Sequence, residues 1–231
     1  MKINVHAGHN ADGKVACGAV GLIKESTEAR KVKSEVIKQL KALGHTVYDC
    51  TVDSASSVSK NLSEIVSKCN AHSVDLDVSI HFNSGRNDKK GDGDNAGVEV
   101  YVYNSSSKAK SYAENVCKAV SALGFDNRGV KYSTGLYVLK HTTAPAMLIE
   151  CCFVDDADDI KLYNYKTMAA AIVKGITGKT VSASSTTTSA KTNSTSSTLY
   201  KVQVGAYSKK ANAESMVKKL KAAGFEASIV S

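Results

Sequence analysis

Two hydrophobic periods take turns along most of the chain. Residues 3–7 (Ile-Asn-Val-His-Ala) alternate with period two and stop at Gly8, as a short strand does. Ala29, Val32, Val36, Leu40 and Leu43 then recur at helical spacing, and Gly44 suits the left-handed residue that closes such a helix. Residues 45–50 read as a second strand, and Leu62, Ile65, Val66 and Cys69 as the face of a second helix. Residues 74–82 read as a third strand, mixing Val, Leu and Ile with Asp. Residues 98–103 alternate strictly, and a helix is predicted over 107–123 before Gly124. Residues 147–153 form a short, nearly continuous apolar run, as a central strand covered on both faces would, and a last helix is predicted over 158–175. Strands alternating with helices predict an α/β fold: an open, mostly parallel, twisted sheet flanked by helices.

Composition breaks once. Between 180 and 198, 14 of 19 residues are Ser or Thr, which leaves too little apolar surface to offset the entropy of ordering. The chain is therefore expected to comprise a body over 1–178, a flexible linker over 179–198 and a tail over 199–231, the tail forming a small βαβ module. The tail carries six Lys against two Glu, half of the net charge of +8, so an anionic or polymeric partner is expected for it. Scattered tyrosines with no stacking ladder argue against nucleic acid. No run of 18 apolar residues exists, so no membrane span is expected. The first residues turn polar too early for a secretory signal, and synthesis in the cytoplasm is the expectation. The six cysteines (17, 50, 69, 117, 151 and 152) form no C-x-x-C pair and are expected to be reduced.

In such sheets functional groups gather beyond the carboxyl ends of the strands. His9 lies past the first strand, His81 at the end of the third, and Glu150 near the end of the apolar strand. Glu25 begins the first long helix, at the rim the first strand points to, with Glu28 as its nearest competitor. Two imidazoles and one carboxylate suit Zn²⁺ with a position open for water, and a second carboxylate beside that water would serve as general base and then acid. Residue type and placement make this chemistry plausible without making it unique.

The order of motifs narrows it. Ala7-Gly8-His9, Glu25, Asp75 followed by Ser79-Ile80-His81-Phe82-Asn83, Arg128-Gly129-Val130-Lys131, Leu136-Tyr137-Val138-Leu139 and Pro145-Ala146-Met147-Leu148-Ile149-Glu150-Cys151-Cys152-Phe153-Val154 follow one another along residues 1–176. This order resembles the zinc-dependent N-acetylmuramoyl-L-alanine amidases, the family of bacterial autolysins and phage endolysins. The resemblance implies that His9, Glu25 and His81 ligate zinc and that Glu150 is the catalytic carboxylate. It implies cleavage of the amide between N-acetylmuramic acid and the L-Ala of the stem peptide. Arg128 is expected either to orient a stem-peptide carboxylate or to cap a loop. Asn83 is expected to bond ligands or substrate, or to serve a turn as loop Asn residues do, and His141, near Arg128 and a strand containing Leu139, to line the substrate groove. The segment 85–97, rich in Gly, is expected to be a flexible rim loop.

The chain departs from the family pattern at His6-Ala7, where an acidic residue and often Pro are usual, and at Asn10, where Gly is usual. Cys151-Cys152 and Asp155-Asp156 replace a usual Gly and Ser-Asn. These changes bear on what holds the ligands and on loop shape. The tail, from Leu199-Tyr200-Lys201-Val202-Gln203-Val204-Gly205 through a helix at 211–220 to Gly224-Phe225, resembles the first half of a SPOR domain, a module that binds peptidoglycan glycan strands. The implied partners are therefore the stem peptide and glycan of peptidoglycan, reached after release from the cell as an endolysin or a sporulation autolysin would be. A tail this short buries little core alone, so either two tails pair in a homodimer or the tail is a weak, truncated remnant. The alternatives are a zinc peptidase acting within the stem peptide and a wall-binding protein without catalysis.

Overall fold

The computed structural model describes residues 1–181 and the helix at 210–222. The chain forms two compact units, Met1–Ala183 and Ser184–Ser231. The first runs β1 (Lys2–Ala7), α1 (Glu25–Ala42), β2 (Thr46–Asp49), α2 (Val58–Asn70), β3 (Leu76–Asn83), β4 (Val98–Val102), α3 (Lys110–Ser121), β5 (Asn127–Tyr132), α4 (Tyr137–His141), β6 (Ala146–Phe153), α5 (Ala157–Leu162) and α6 (Tyr165–Thr177). The strands make one sheet in the order β2-β1-β3-β6-β4-β5. The β1–β2, β1–β3, β3–β6 and β4–β5 pairs are parallel, and β4 runs antiparallel to β6. This is the mostly parallel, helix-flanked sheet that the alternation of periods predicts.

The pleat gives the sheet two unlike faces. Ile3, Val5 and Ala7, Leu76, Val78 and Ile80, Val98, Val100 and Val102, and Met147, Ile149 and Cys151 all join the apolar faces of α1, α3 and α6 in one core. At about 1.5–3 kcal/mol for each fully buried Val, Leu or Ile, this face is the main source of stability. The intervening positions point the other way and are polar but still buried: Asn4 and His6, Asp77 and Ser79, and Glu99. A smaller apolar cluster that includes Cys50, Ile65, Cys69, Val138, Leu139 and Leu148 closes part of that second face beneath α2 and α4.

Three local expectations change. The helix predicted over 158–175 is two helices, because Tyr163 turns inward to set its ring edge-on to Phe82 at 5.3 Å. Asn164 then caps α6, its side chain accepting from the N–H groups of Lys166 and Thr167. Leu139, read as part of a strand, lies in the short helix α4. Residues 127–132 form β5, which escaped the pattern because Arg128, Gly129 and Lys131 interrupt any apolar alternation.

In the second unit, α7 (Lys210–Ala222) occupies the predicted helix. The linker beyond 181 and the expected strands near 199–208 and 224–227 lie outside the described residues. All six cysteines are free, five of them buried, and no described helix is long and apolar enough to cross a membrane.

His6 shows what the polar face costs. It is fully enclosed, with Nδ1 3.5 Å from Ser79 Oγ. Burial, and secondarily the charge of His81, pushes its pKa from 6.5 down to about 3. A depressed histidine contributes stability that is complete above pH 6.5 and lost as pH falls, because only the unfolded chain takes up the proton in that window. Between pH 7 and pH 4 the loss is about 3 kcal/mol. His6→Gln is expected to flatten the pH dependence of unfolding free energy by that amount, read by urea titration at the two pH values. An unchanged slope would show that His6 is not held neutral.

Candidate functional site

Three side chains converge at the carboxyl edge of the sheet. His9 follows β1, His81 stands near the end of β3, and Glu25 is the first residue of α1. Glu25 Oε1 lies 3.0 Å from His81 Nδ1 and 3.3 Å from His9 Nε2. The two imidazole rings meet edge-on with centroids 4.9 Å apart. Glu25 Oε2 accepts from the backbone N–H of Ala19 at 2.8 Å, and Oε1 also accepts from that of Phe82 at 3.2 Å. Its position in the first turn also places the carboxylate at the positive end of the helix dipole. Burial works against the Glu25 carboxylate, but hydrogen bonds from His81 and His9 outweigh it and hold its pKa well below the usual range.

The donor set suits a zinc ion. Two imidazole nitrogens and a carboxylate oxygen lie within 4.8 Å of one another. Backbone is cut away around them: a β-carbon on Gly8 would come within 2.0 Å of His81 Cε1, and one on Gly18 within 2.6 Å of Glu25 Oε2. His9 remains 32% exposed while Glu25 is 4%, so the cluster is closed on the protein side and open at its mouth. Glu28 takes no part, since it pairs with Lys31 and accepts from Tyr163 Oη.

Glu150 stands between two of these strands' charged groups. Its register partners are His81 on β3 and Glu99 on β4. Its Oε2 is shielded from solvent and has no hydrogen-bond partner among the described residues. Burial, then the nearby Glu25 and Glu99 carboxylates, push its pKa up to about 8. Glu99 itself is fully engaged, accepting from Asn83 Nδ2 at 2.8 Å, Tyr101 Oη at 3.0 Å and Arg128 Nε at 2.9 Å. Arg128 also lies over the Phe153 ring, 5.1 Å from its centroid.

The predicted site residues therefore divide. His9, Glu25, His81 and Glu150 come together, and Arg128 and Asn83 join them through Glu99. Asn83 spends its amide on Glu99 and the N–H of Ser84, so it supports the site instead of facing substrate. His141 does not belong. It lies in α4 ahead of β6, where its carbonyl accepts from Asn70 at 2.9 Å and its ring tilts over Tyr137. That is the amino end of β6, opposite to Glu150, and placing Leu139 in a strand had put it at the wrong edge. Glu99 escaped notice because it sits in a strict Val-Glu-Val alternation, where a polar position reads as solvent-facing.

The rim loop over 85–97 is pinned, contrary to expectation. Asp155 accepts from the N–H groups of Gly85 and Asn87, Asp156 from Ala96, Asp158 from Gly93 and Asp159 from Gly97. The Asp155-Asp156 departure thus shapes this loop. Asp88, Asp156 and Asp158 form a second acidic group, neutralised by Arg86, Lys161 and these backbone donors.

The family model described as N-acetylmuramoyl-L-alanine amidase matches residues 3–178, and a SPOR domain is found at residues 180–231. An uncharacterized protein of Clostridium perfringens (strain 13 / Type A) is 36% identical over 167 residues, covering 72% of this chain and 48% of that protein. The sporulation-specific N-acetylmuramoyl-L-alanine amidase of Bacillus subtilis (strain 168) is 27% identical over 172 residues, covering 74% of this chain and 62% of the relative. Among solved structures, the catalytic domain of an endolysin targeting Clostridia difficile is similar with a TM-score of 0.68 at 26% identity, covering 79% of this chain and 99% of that one. The chain spans about half the length of the first curated relatives it matches. With the family model covering residues 3–178, including His9, Glu25, His81 and Glu150, the chain belongs to the N-acetylmuramoyl-L-alanine amidase family.

Proposed function

We propose that the chain is a zinc-dependent peptidoglycan hydrolase that cleaves the amide between N-acetylmuramic acid and the L-Ala of the stem peptide. The observation that carries this reading is the convergence of His9, Glu25 and His81 beside a shielded, unpartnered oxygen of Glu150. Zinc held by those three residues would supply a Lewis acid for the amide carbonyl and an acidified water.

Glu150 moves the proton. A base is most effective when its pKa lies near the working pH, since it must both take a proton from the attacking water and return it to the departing amine. Burial beside Glu25 and Glu99 raises Glu150 towards that range, and a cation held by His9, Glu25 and His81 would lower it again. Arg128 keeps Nε on Glu99 and reaches the Ala96 carbonyl with Nη1 at 3.5 Å, and its guanidinium, 40% exposed, is a planar fork suited to a carboxylate of the stem peptide. The SPOR domain at 180–231 supports a second contact with the wall, through glycan strands, that keeps the catalytic unit near its substrate.

Purified peptidoglycan digested by the protein is expected to release a free L-Ala amine, with glycan and intact stem peptide separated, and a chelator is expected to abolish the product. New amines deeper in the peptide, read by mass spectrometry, would replace this reading with a peptidase. Glu150→Ala is expected to keep its zinc while losing about 10²–10⁴-fold in turnover; substantial residual turnover would mean that another group is the base. Removal of residues 180–231 is expected to leave hydrolysis of soluble muropeptides unchanged and to reduce co-sedimentation with insoluble walls. Equal sedimentation of both proteins would take the wall-binding role away from the tail.

A further inference from the structure

His9 brings its ring into the metal cluster from a backbone with φ of 60°, in the left-handed region that a β-carbon disfavours. The ring is committed to Glu25, so the support for that backbone comes from elsewhere. It comes from Arg30 on α1. Arg30 Nη2 donates to the carbonyl of His9 at 3.0 Å and to that of Val52 at 3.3 Å. Nη1 donates to the carbonyl of Ser26 at 2.9 Å and reaches that of Gly8 at 3.5 Å. Nε donates to Asp53 Oδ1 at 2.9 Å. A guanidinium has five N–H donors in one rigid plane, and each has an acceptor here.

The acceptors belong to three separate stretches: the turn bearing His9, the first turn of α1 bearing Glu25, and the loop after β2. Asn10 ties the same turn on its other side. Its Nδ2 donates to the carbonyls of Val15 and Ala55, and its Oδ1 accepts from Ala55 N–H and Asn61 Nδ2, all at 2.7–2.9 Å. Asn10 is completely buried.

We propose that Arg30 is a positioning residue for the metal centre, fixing the His9 turn to the helix start that carries Glu25 and so setting two of the three ligands before a cation binds. This rests on reading His9, Glu25 and His81 as zinc ligands. The Asp53 arm is secondary, because that carboxylate is 68% exposed. Lysine cannot replace Arg30: it is a point charge with three donors and reaches one or two of the five acceptors.

The test is the zinc affinity of the full chain, read by chelator competition without peptidoglycan, alongside unfolding of the metal-depleted protein. Arg30→Lys is expected to weaken zinc binding about 10–100-fold, the usual consequence of losing a group that orients a ligand. Asp53→Asn, and Ile65→Val in the α2 core, are expected to stay within about 3-fold. Parental affinity in Arg30→Lys, or an equal loss of affinity in Ile65→Val at matched stability, would overturn the proposal. Should Arg30→Lys fail to fold, amide exchange in the metal-depleted parent decides. Asn10 N–H, bonded to the Ala16 carbonyl at 3.1 Å, is expected to be protected already, and protection that appears only with zinc would overturn a preset turn. Tight zinc binding without turnover would end the amidase reading and leave the clamp, whereas unchanged affinity in Arg30→Lys with full turnover would do the reverse.

Discussion

The structure depends on the parity of the β-pleat. Along β1, β3, β4 and β6 one set of alternate residues is apolar and enters the core under α1, α3 and α6, while the other set carries the buried polar residues Asn4, His6, Asp77, Ser79 and Glu99. Parity is fixed by the apolar set, because a slip of one residue would turn Ile3, Val5, Val78, Ile80, Val100 and Ile149 away from their helices. Once those residues are seated, Glu150 has no choice of face, and neither have His81 and Glu99, which flank it in register. The large apolar face therefore does two jobs: it supplies the stability and it aligns Glu150 with its neighbours. The reversal of β4 matters for the same reason, since only an antiparallel β4 brings its first residues, Glu99 among them, to the edge where the parallel strands end.

Much of this was legible in the chain. Short apolar-rich runs ending at Gly8, at His81 and just past Glu150 marked three strand ends on one edge, and period and order are local properties that a sequence displays directly. Strand order is not local. Nothing in Val98-Glu99-Val100 says that β4 lies between β6 and β5, so the Glu99–Arg128 pair and its contact with Asn83 became visible only with the sheet assembled. Glu25 and Glu28 are equally good first-turn residues by sequence. The choice between them is tertiary, because one faces two imidazoles while the other faces Tyr163 and Lys31. His141 was misplaced through a helix of five residues, too short to show a period.

The electrostatics of the cluster run against the charge of the whole. A chain with net charge +8 gathers Glu25, Glu99 and Glu150 at one edge, and of these only Glu99 has a guanidinium on it. Like charges in a half-buried site are costly, and the protein relieves the cost in different ways at the three positions. Glu25 is held ionised by two imidazoles, Glu99 accepts hydrogen bonds from Arg128, Asn83 and Tyr101, and Glu150 drifts towards the neutral form. The Arg128 pair alone is a weak offset, because the guanidinium is 40% exposed and screened by solvent. A divalent cation bound by His9, Glu25 and His81 would act on all three carboxylates at once, which would link binding to stability there.

The same linkage bears on where strain is placed. A left-handed His9, a buried neutral His6 and converging carboxylates each draw on stability, and each lies on the polar face or at its edge. The opposite face carries no such burden: its strands supply Val, Ile, Leu and Met at 0% exposure without a charged residue among them. Such segregation lets one sheet be both rigid and reactive. Mixing the two sets would put desolvated charge against α1 and α6 and would leave the ligands on a backbone free to relax, whereas separation lets the apolar layer hold the strands still while the polar layer keeps groups that no relaxed surface would tolerate.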